Sequence, residues 1–589
     1  MNTRDQWRIK PKTAAAAWLE AFDCALAQAD ASAVAALFVP AGYWRDLVAL
    51  TWNIETHSGR LAIEAMLRRT LQSTKPRGFR LAPDRTPPRR VVRAGTEVIE
   101  AMFDFETAWG AGNGVARLVP DPAAPGMVRA WIIVTALDSL RGHEERTGMR
   151  RQSGDEYSRE FGGDNWQDKR DKARAHEEHD PAVIVVGAGQ AGLSIAARLG
   201  QLGVDTLVID REKRIGDNWR RRYRSLTLHN EVHVNHLPYM PFPASWPVFV
   251  PKDKLANWFE AYVEAMELNC WTGAGLAGGR WDDAARQWNV TLRRADGSER
   301  VMRPRHLVFA TGVSAIPQMP ELPGVERFAG TVLHSGAYTE GAAWKGRKAL
   351  VLGTGNSGHD VAQDLQASGA EVTLIQRSPT YIVGIREAQR VYALYSEGLP
   401  LDDCDLLTTA MPYPVLRRAY QLATAISREA DKPLLDALAS RGFRLTYGED
   451  DTGFQMMYLR RGGGYYFNVG CSDLIVDGRI GLLQYDRIER FVPGGVELRD
   501  GSLAPAELLV LATGYRNQQE VVRFALGDAV ADRAGPAWNF DTGGELRNMW
   551  KPTAQPGLWF TAGSLAQCRI YSKYLALQIK AREVGLLRA

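Results

Sequence analysis

Cysteine is scarce in this chain of 589 residues, and the little there is does not pair. Cys24, Cys270, Cys404, Cys471 and Cys568 stand far apart and no C-x-x-C occurs. That spacing excludes a zinc ribbon and a redox-active dithiol and leaves scattered reduced thiols. An excess of one charge is missing too. Lys and Arg number 72 against 68 Asp and Glu, a formal net charge of +4, so there is no case for nucleic-acid binding. Long apolar runs are also lacking. Two stretches without formal charge approach the length of a membrane span, residues 181–197 and 232–251. The first has a strand-turn-helix pattern, and the second is broken by repeated prolines and two histidines. Residues 1–7 carry no apolar signal core, so the chain is expected to be cytoplasmic. The length exceeds what one core serves, and two to four domains are expected.

What the chain does have is a pair of glycine fingerprints. One is Val183-Ile-Val-Val-Gly187-Ala-Gly189-Gln-Ala-Gly192, and the other is Ala349-Leu-Val-Leu-Gly353-Thr-Gly355-Asn356-Ser357-Gly358. Each follows an apolar strand-like run and opens a helical pattern, the context that makes G-x-G-x-x-G a dinucleotide site. The first glycine makes the turn, the second lets backbone approach a pyrophosphate, and the third lets helix pack on strand.

The two halves differ at one position. Asp210 stands 23 residues after Gly187, and Gln376, followed by Arg377 and Ser378, stands 23 residues after Gly353. A carboxylate at that strand end accepts from a ribose diol and repels a 2′-phosphate, whereas Gln followed by Arg accepts one. The first site is therefore expected to hold a non-phosphorylated ribose and the second NADP(H). The simplest enzyme with both is a flavoprotein fed by NADPH.

Residues 1–140 form a separate unit, with helical apolar faces around Trp18–Phe22 and Val34–Phe38 and strand-like runs at 97–105 and 128–134. Helices followed by strands suggest α+β layer packing. Asp46 and His57 are its candidate pocket residues, with surface or cap roles the favoured reading. Residues 141–180 are dense in charge and read as a linker docked on the next domain. Beyond them, strands and helices alternate as a parallel sheet requires. Two strands end in small residues, Ala310-Thr311-Gly312 and Ala512-Thr513-Gly514, where backbone passes close to a dinucleotide. The second fingerprint lies between them, which implies one nucleotide domain inserted in another. The expected fold class is α/β, two Rossmann-like domains behind an α+β unit. The expected boundaries are 181–345 and 500–589 for the FAD domain and 346–499 for the NADP domain.

These motifs together resemble the flavin-containing monooxygenases over roughly residues 181–589. The most specific piece is Phe328-Ala-Gly330-Thr-Val-Leu-His334-Ser-Gly-Ala-Tyr338, which looks like the F-x-G-x-x-x-H signature of NADPH-using flavin oxygenases. The resemblance gives His334 a positioning role. It also places Asn218 and Trp219 along the FAD, and Arg211 beside Asp210. Asn230 becomes the candidate active-site amide, with His229 a contact to FAD. Gly563 and Gln567 then stand where a helix N-terminus faces the flavin pyrimidine edge. For Cys568 at that helix start, packing is the better reading. Residues 1–140 loosely resemble the cone-shaped nuclear transport factor and SnoaL-like superfamily, which leaves a homodimer open.

The resemblance implies FAD reduced by NADPH, then O2 used through a C4a-(hydro)peroxyflavin to oxygenate nitrogen, sulfur or a carbonyl centre of a small substrate, with no metal. The run Trp219-Arg-Arg-Arg-Tyr223 to His229-Asn230 departs from Baeyer–Villiger enzymes toward the N- or S-oxygenating branch or the plant indole-pyruvate oxygenases. Baeyer–Villiger oxygenation, an NADPH oxidase or reductase without oxygen insertion, and a non-catalytic redox sensor stand as alternatives. The apolar helical spacing of residues 383–445 suits a cover over the substrate entrance, a core helix pair or a membrane-surface role.

Overall fold

The computed structural model describes residues 10–157 and 159–587; the stretch 1–7, read above for a signal, lies outside them. The first unit opens on helix Pro11–Ala27, with a proline in its first turn, where the missing N–H costs no hydrogen bond. Its Trp18, Leu19, Phe22 and Leu26 form one buried face. That face packs on a seven-stranded sheet ordered Ile54–Ser58, Phe38–Leu47, Val128–Leu137, Ala111–Pro120, Thr96–Glu106, Arg77–Leu81, with Arg89–Arg93 also paired to Thr96–Glu106. Aromatic rings fill the space between, Trp18 stacking on Phe22 at 4.7 Å.

Asp46 is fully buried in this unit rather than on its surface. It accepts from the amides of Leu50 and Thr51 at 3.0 and 2.8 Å and from the Thr135 hydroxyl at 2.8 Å. Those partners make it the cap of a turn. His57 is partly buried and lies 3.4 Å from Glu55.

The charged linker docks as its composition suggests. Helix Trp166–Ala175 carries Arg170, which donates to Asn269 at 3.0 Å, and Trp271 donates back to the carbonyl of Arg174 at 2.8 Å.

Two five-stranded parallel sheets follow. The first is ordered Asn269–Thr272, Thr206–Asp210, Val183–Val186, His306–Phe309, Leu558–Phe560. The second is ordered Thr331–His334, Leu508–Leu511, Lys348–Leu352, Glu371–Gln376, Gly481–Gln484. Both are almost wholly apolar inside, as a sheet covered on both faces must be.

The second sheet corrects the expected boundaries. The expected boundaries put Thr331–His334 and Leu508–Leu511 in the FAD domain, yet they pair with each other and Leu508–Leu511 pairs on its other side with Lys348–Leu352. The inserted unit therefore reaches outward past both 346 and 499, and Thr513 and Gly514 end a strand of the second sheet. The physical reason is register: an apolar run names a buried strand but not its neighbour.

The segment between Gln376 and Gly481 is largely helical, with Leu401–Thr409, Tyr413–Ala430, Lys432–Ser440 and Gly453–Arg461. Helix Tyr413–Ala430 leans on the first unit as well as on its own. Among the described residues no helix is long and apolar enough to cross a membrane.

Candidate active site

Each fingerprint loop is shaped by its glycines. Gly187 and Gly353 sit at φ +109° and +116°, a region that costs other residues dearly. A Cβ on Gly187 would stand 2.8 Å from the Ala310 carbonyl oxygen, and one on Gly192 or Gly358 would overlap the carbonyl of Gly187 or Gly353. The helices Gln190–Gln201 and Asn356–Ala367 open on Gly189 and Gly355, and neither has a side-chain cap. First-turn amides without a cap and with close backbone access form an anion site, the fit a pyrophosphate needs.

The strand ends diverge as expected from their residues. Asp210 accepts from the amides of Ala188 at 2.7 Å and Glu212 at 2.8 Å, so its carboxylate is held against the first loop with acceptor capacity left over. Arg211 points outward, its nearest carboxylate that of Glu212 at 3.7 Å. Gln376 is fully buried, its amide bridging Arg444 backbone N–H and C=O at 2.8 and 2.9 Å. Arg377 and Ser378 after it are exposed. In the second loop Asn356 is occupied structurally, accepting from the Phe467 amide at 2.9 Å, and Ser357 is half-buried beside it.

The F-x-G-x-x-x-H segment contains the edge strand Thr331–His334 of the second sheet. His334 is 6% exposed. Its Nδ1 accepts from the Gly336 amide at 3.0 Å, which leaves Nε2–H to donate to the Gly514 carbonyl at 3.0 Å. Burial lowers its pKa, so the ring is neutral. Tyr338 donates to Asp364 at 2.6 Å, on the helix of the second fingerprint. Thr513 donates to the Gln318 carbonyl at 2.6 Å, and Gln518 spans the Phe309 carbonyl and Thr311 at 3.1 and 3.3 Å beside Gly312.

Next to Gln190 of the first fingerprint lies a cavity of about 150 Å³ lined by Trp219, His229, Asn230, Tyr392, Phe467 and Ser564 among others. Trp219 Nε1 is buried there without a partner, an unmet donor facing the space a ring system would fill. Asn218 stands beside Gly189, its Nδ2 3.0 Å from where a Cβ would be. Gln190 donates to the Gly563 carbonyl at 3.2 Å, tying the first loop to the last strand.

Asn230 meets the Tyr392 hydroxyl, which also accepts from Gln455 at 2.7 Å. Asn235 fixes the Asn230 carbonyl at 2.9 Å. His229 lines the cavity against Phe467 at 4.6 Å while keeping an exposed edge. No Asp, Glu, Lys or Arg lines this cavity.

The last helix, Leu565–Glu583, differs from the expectation for Gly563 and Gln567. Ser564 and Gln567 form a reciprocal capping box, Gln567 accepting from the Ser564 amide at 3.0 Å. Gln567 is thus a helix cap that also faces Tyr458 at 3.4 Å. Cys568 is buried and its thiol is pushed up by that burial, so it packs.

Beside the first cavity lies a larger one of about 390 Å³. The two share Tyr392, Gln455, Tyr458 and Ser564 as a common partition. Sequence reasoning missed Tyr392, Gln455 and Tyr458, which carry no motif.

Residues 180–407 match the family model described as flavin-binding monooxygenase-like. The indole-3-pyruvate monooxygenase YUCCA1 of Oryza sativa subsp. japonica is 31% identical over 338 residues, which span 57% of this chain and 77% of that protein. The probable indole-3-pyruvate monooxygenase YUCCA4 of Arabidopsis thaliana is 30% identical over 57% of this chain and 76% of its own. In fold, the chain resembles a cyclohexanone monooxygenase bound to ε-caprolactone, with TM-score 0.52, 18% identity, and coverage of 69% of this chain and 88% of that one.

Proposed function

Because this chain belongs to the flavin-binding monooxygenase-like family, we propose that it uses NADPH to place one atom of O2 on a small organic substrate where its two adjoining cavities meet at Tyr392, Gln455, Tyr458 and Ser564. FAD and NADPH are the cofactors, as in the family. When bound, FAD supplies the hydride acceptor and the O2 chemistry.

The chain's own residues do the rest. The loop Gly187–Gly192 and the open end of helix Gln190–Gln201 would hold the FAD diphosphate, and Asp210 its ribose. The loop Gly353–Gly358 would hold the NADPH diphosphate, and Arg377 with Ser378 the 2′-phosphate. His334 would tie the ends of two neighbouring strands of the second sheet together through the Gly514 carbonyl, a positioning role.

The observation that carries the reading is the chemistry of the smaller cavity, which has no charged lining and therefore no strong acid. Burial holds the Tyr392 hydroxyl protonated. Asn230 and Tyr392 can therefore donate hydrogen bonds to a reacting oxygen without releasing a proton to it. A site of that kind excludes water and stray protons during oxygen transfer.

The test is turnover under 18O2 with a panel of amines, sulfides and ketones. The expected result is one labelled oxygen atom in product per NADPH consumed. Hydrogen peroxide as the sole fate of NADPH with every substrate contradicts the reading. Asn230→Ala should divert at least roughly half of the NADPH to peroxide while flavin reduction stays fast; unchanged coupling removes Asn230 from the site.

A further inference from the structure

The larger cavity is bordered by the first unit, and the flavin-binding family model begins only at residue 180. Ile54 and Val92 of the first unit form one wall. Leu416, Tyr420 and Ala423, spaced along one face of helix Tyr413–Ala430, form the opposite wall. The partition with the smaller cavity is made by Tyr392, Gln455 and Tyr458.

The first unit is clamped there rather than resting. Arg45 reaches across to Glu545 with two parallel bonds of 2.8 and 2.7 Å and to the Thr409 carbonyl at 2.8 Å, with both side chains under 10% exposed. Thr56 adds a bond to Glu545 at 2.7 Å. Arg117 donates to the carbonyls of Leu407 and Ala410. Buried pairs of this geometry fix one arrangement, because losing either partner strands a charge.

We propose that the first unit is a wall of the substrate chamber in cis, that it sets substrate size, and that the chamber takes neutral, largely apolar aromatic molecules rather than carboxylates. This rests on the monooxygenase reading only for the chemistry done; the binding claim stands alone. The volume, about 390 Å³, lies within the range of about 300–1,000 Å³ for small-molecule pockets. The walls supply Phe540, Trp550 and Tyr571 as well as the tyrosines above, surfaces that suit a π-faced ligand.

Each arginine of the lining already faces a carboxylate. Arg45 is held by Glu545 and Arg390 by Glu387, while Arg93 and Arg117 share Glu100 and Glu397 with Arg89. A substrate carboxylate would have to compete with these resident carboxylates for the guanidinium groups, and a neutral ligand would not. A 2-oxo acid of the kind that the relatives' names carry is therefore disfavoured against a neutral ligand of similar size.

The experiment measures binding by calorimetry in the flavin-loaded full chain, with turnover read separately. The probes are methyl phenyl sulfide, methyl 2-naphthyl sulfide and indole-3-pyruvate. The wild type is expected to bind both sulfides and to bind indole-3-pyruvate at least roughly tenfold more weakly than the naphthyl sulfide. Ile54→Trp and Val92→Trp narrow the chamber from the first unit. They are expected to weaken the naphthyl sulfide at least roughly tenfold more than the phenyl sulfide, while Ile54→Ala shifts the ratio the other way. Val92 is 65% exposed, so a tryptophan there tests the claim even if Ile54→Trp fails to fold. Leu61→Trp, exposed on the same unit and outside the lining, should leave the ratio unchanged. Sulfide binding ratios that stay within twofold in both Val92→Trp and Ile54→Ala overturn the wall. Indole-3-pyruvate bound as tightly as the sulfides overturns the charge argument. Sulfides that bind with these ratios but are never oxygenated leave the wall standing and count against the monooxygenase reading instead.

Discussion

The two nucleotide sheets are near copies that part company at the end of one strand. In the first, Asp210 turns its carboxylate onto the fingerprint loop at Ala188. In the second, Gln376 turns inward to the Arg444 backbone and leaves Arg377 exposed after it. The glycine geometry is the same on both sides, with φ +109° at Gly187 and +116° at Gly353. In the proposed function, repeating the fold repeats the diphosphate cradle, and the change at the strand end would decide which ribose is accepted.

The sharpest way to break that comparison is to damage each cradle alone. Gly192→Val and Gly358→Val each force a side chain into the carbonyl of their own loop, a clash on the order of 4 kcal/mol or more. The first is expected to purify with its flavin content reduced roughly tenfold or more. The second should purify yellow, yet need roughly 100-fold more NADPH for reduction. Absorbance spectra and reduction kinetics decide; a colourless Gly358→Val protein would mean that the cradles are not independent.

A subtler variant is Asp210→Asn, which keeps the shape and removes the charge. It is expected to weaken FAD retention about tenfold, the scale of a charge-assisted hydrogen bond, with the KM for NADPH within twofold. Equal losses for both nucleotides would erase the distinction between the sheets.

The sheets also differ in acid. Burial disfavours the Glu583 charge, but the hydrogen bonds from Arg305 and His306 outweigh it and hold the carboxyl down to about 2. Its contribution, discounted for solvent screening to on the order of 1 kcal/mol, is complete above about pH 4.5 and lost as pH falls toward 2. Asp360 in the second unit is the reverse case, pushed up to about 6 by burial against a hydrogen bond from Tyr223. Its charge costs stability at pH 7, and that cost disappears as pH falls through 6 toward 4. Urea unfolding should find Asp360→Asn more stable than wild type at pH 7 by on the order of 2 kcal/mol, with the gain gone near pH 4. Glu583→Gln should be less stable at pH 7, with the deficit closing below pH 4. A pH-independent offset in either variant contradicts the assignment.

What was legible in the sequence was local. Glycine spacing, strand-helix alternation and the Asp210/Gln376 contrast all lie within a few dozen residues of each fingerprint. Sheet order was not legible, since Leu508–Leu511 is as apolar as any strand of the first sheet and pairs in the second. Asp46 was expected at a surface or a cap; it caps a turn from inside the core, because Thr135, far along the chain, supplies the buried partner. The signature named His334, but its acceptor at Gly514 lies 180 residues away. The cavities were hidden for the same reason. Tyr392, Gln455 and Tyr458 belong to helical turns with no motif, and only packing brings them to Asn230 and Ser564.

The most direct measurement of the central claim, two nucleotides held in two unlike sites, is the NADPH-to-NADH ratio of kcat/KM for flavin reduction in wild type and Arg377→Ala at equal flavin content. The account predicts a strong preference for NADPH in the wild type that falls roughly tenfold or more in the variant, with NADH little changed and the flavin still bound. A ratio that does not move, or a loss shared equally by both coenzymes, would contradict it.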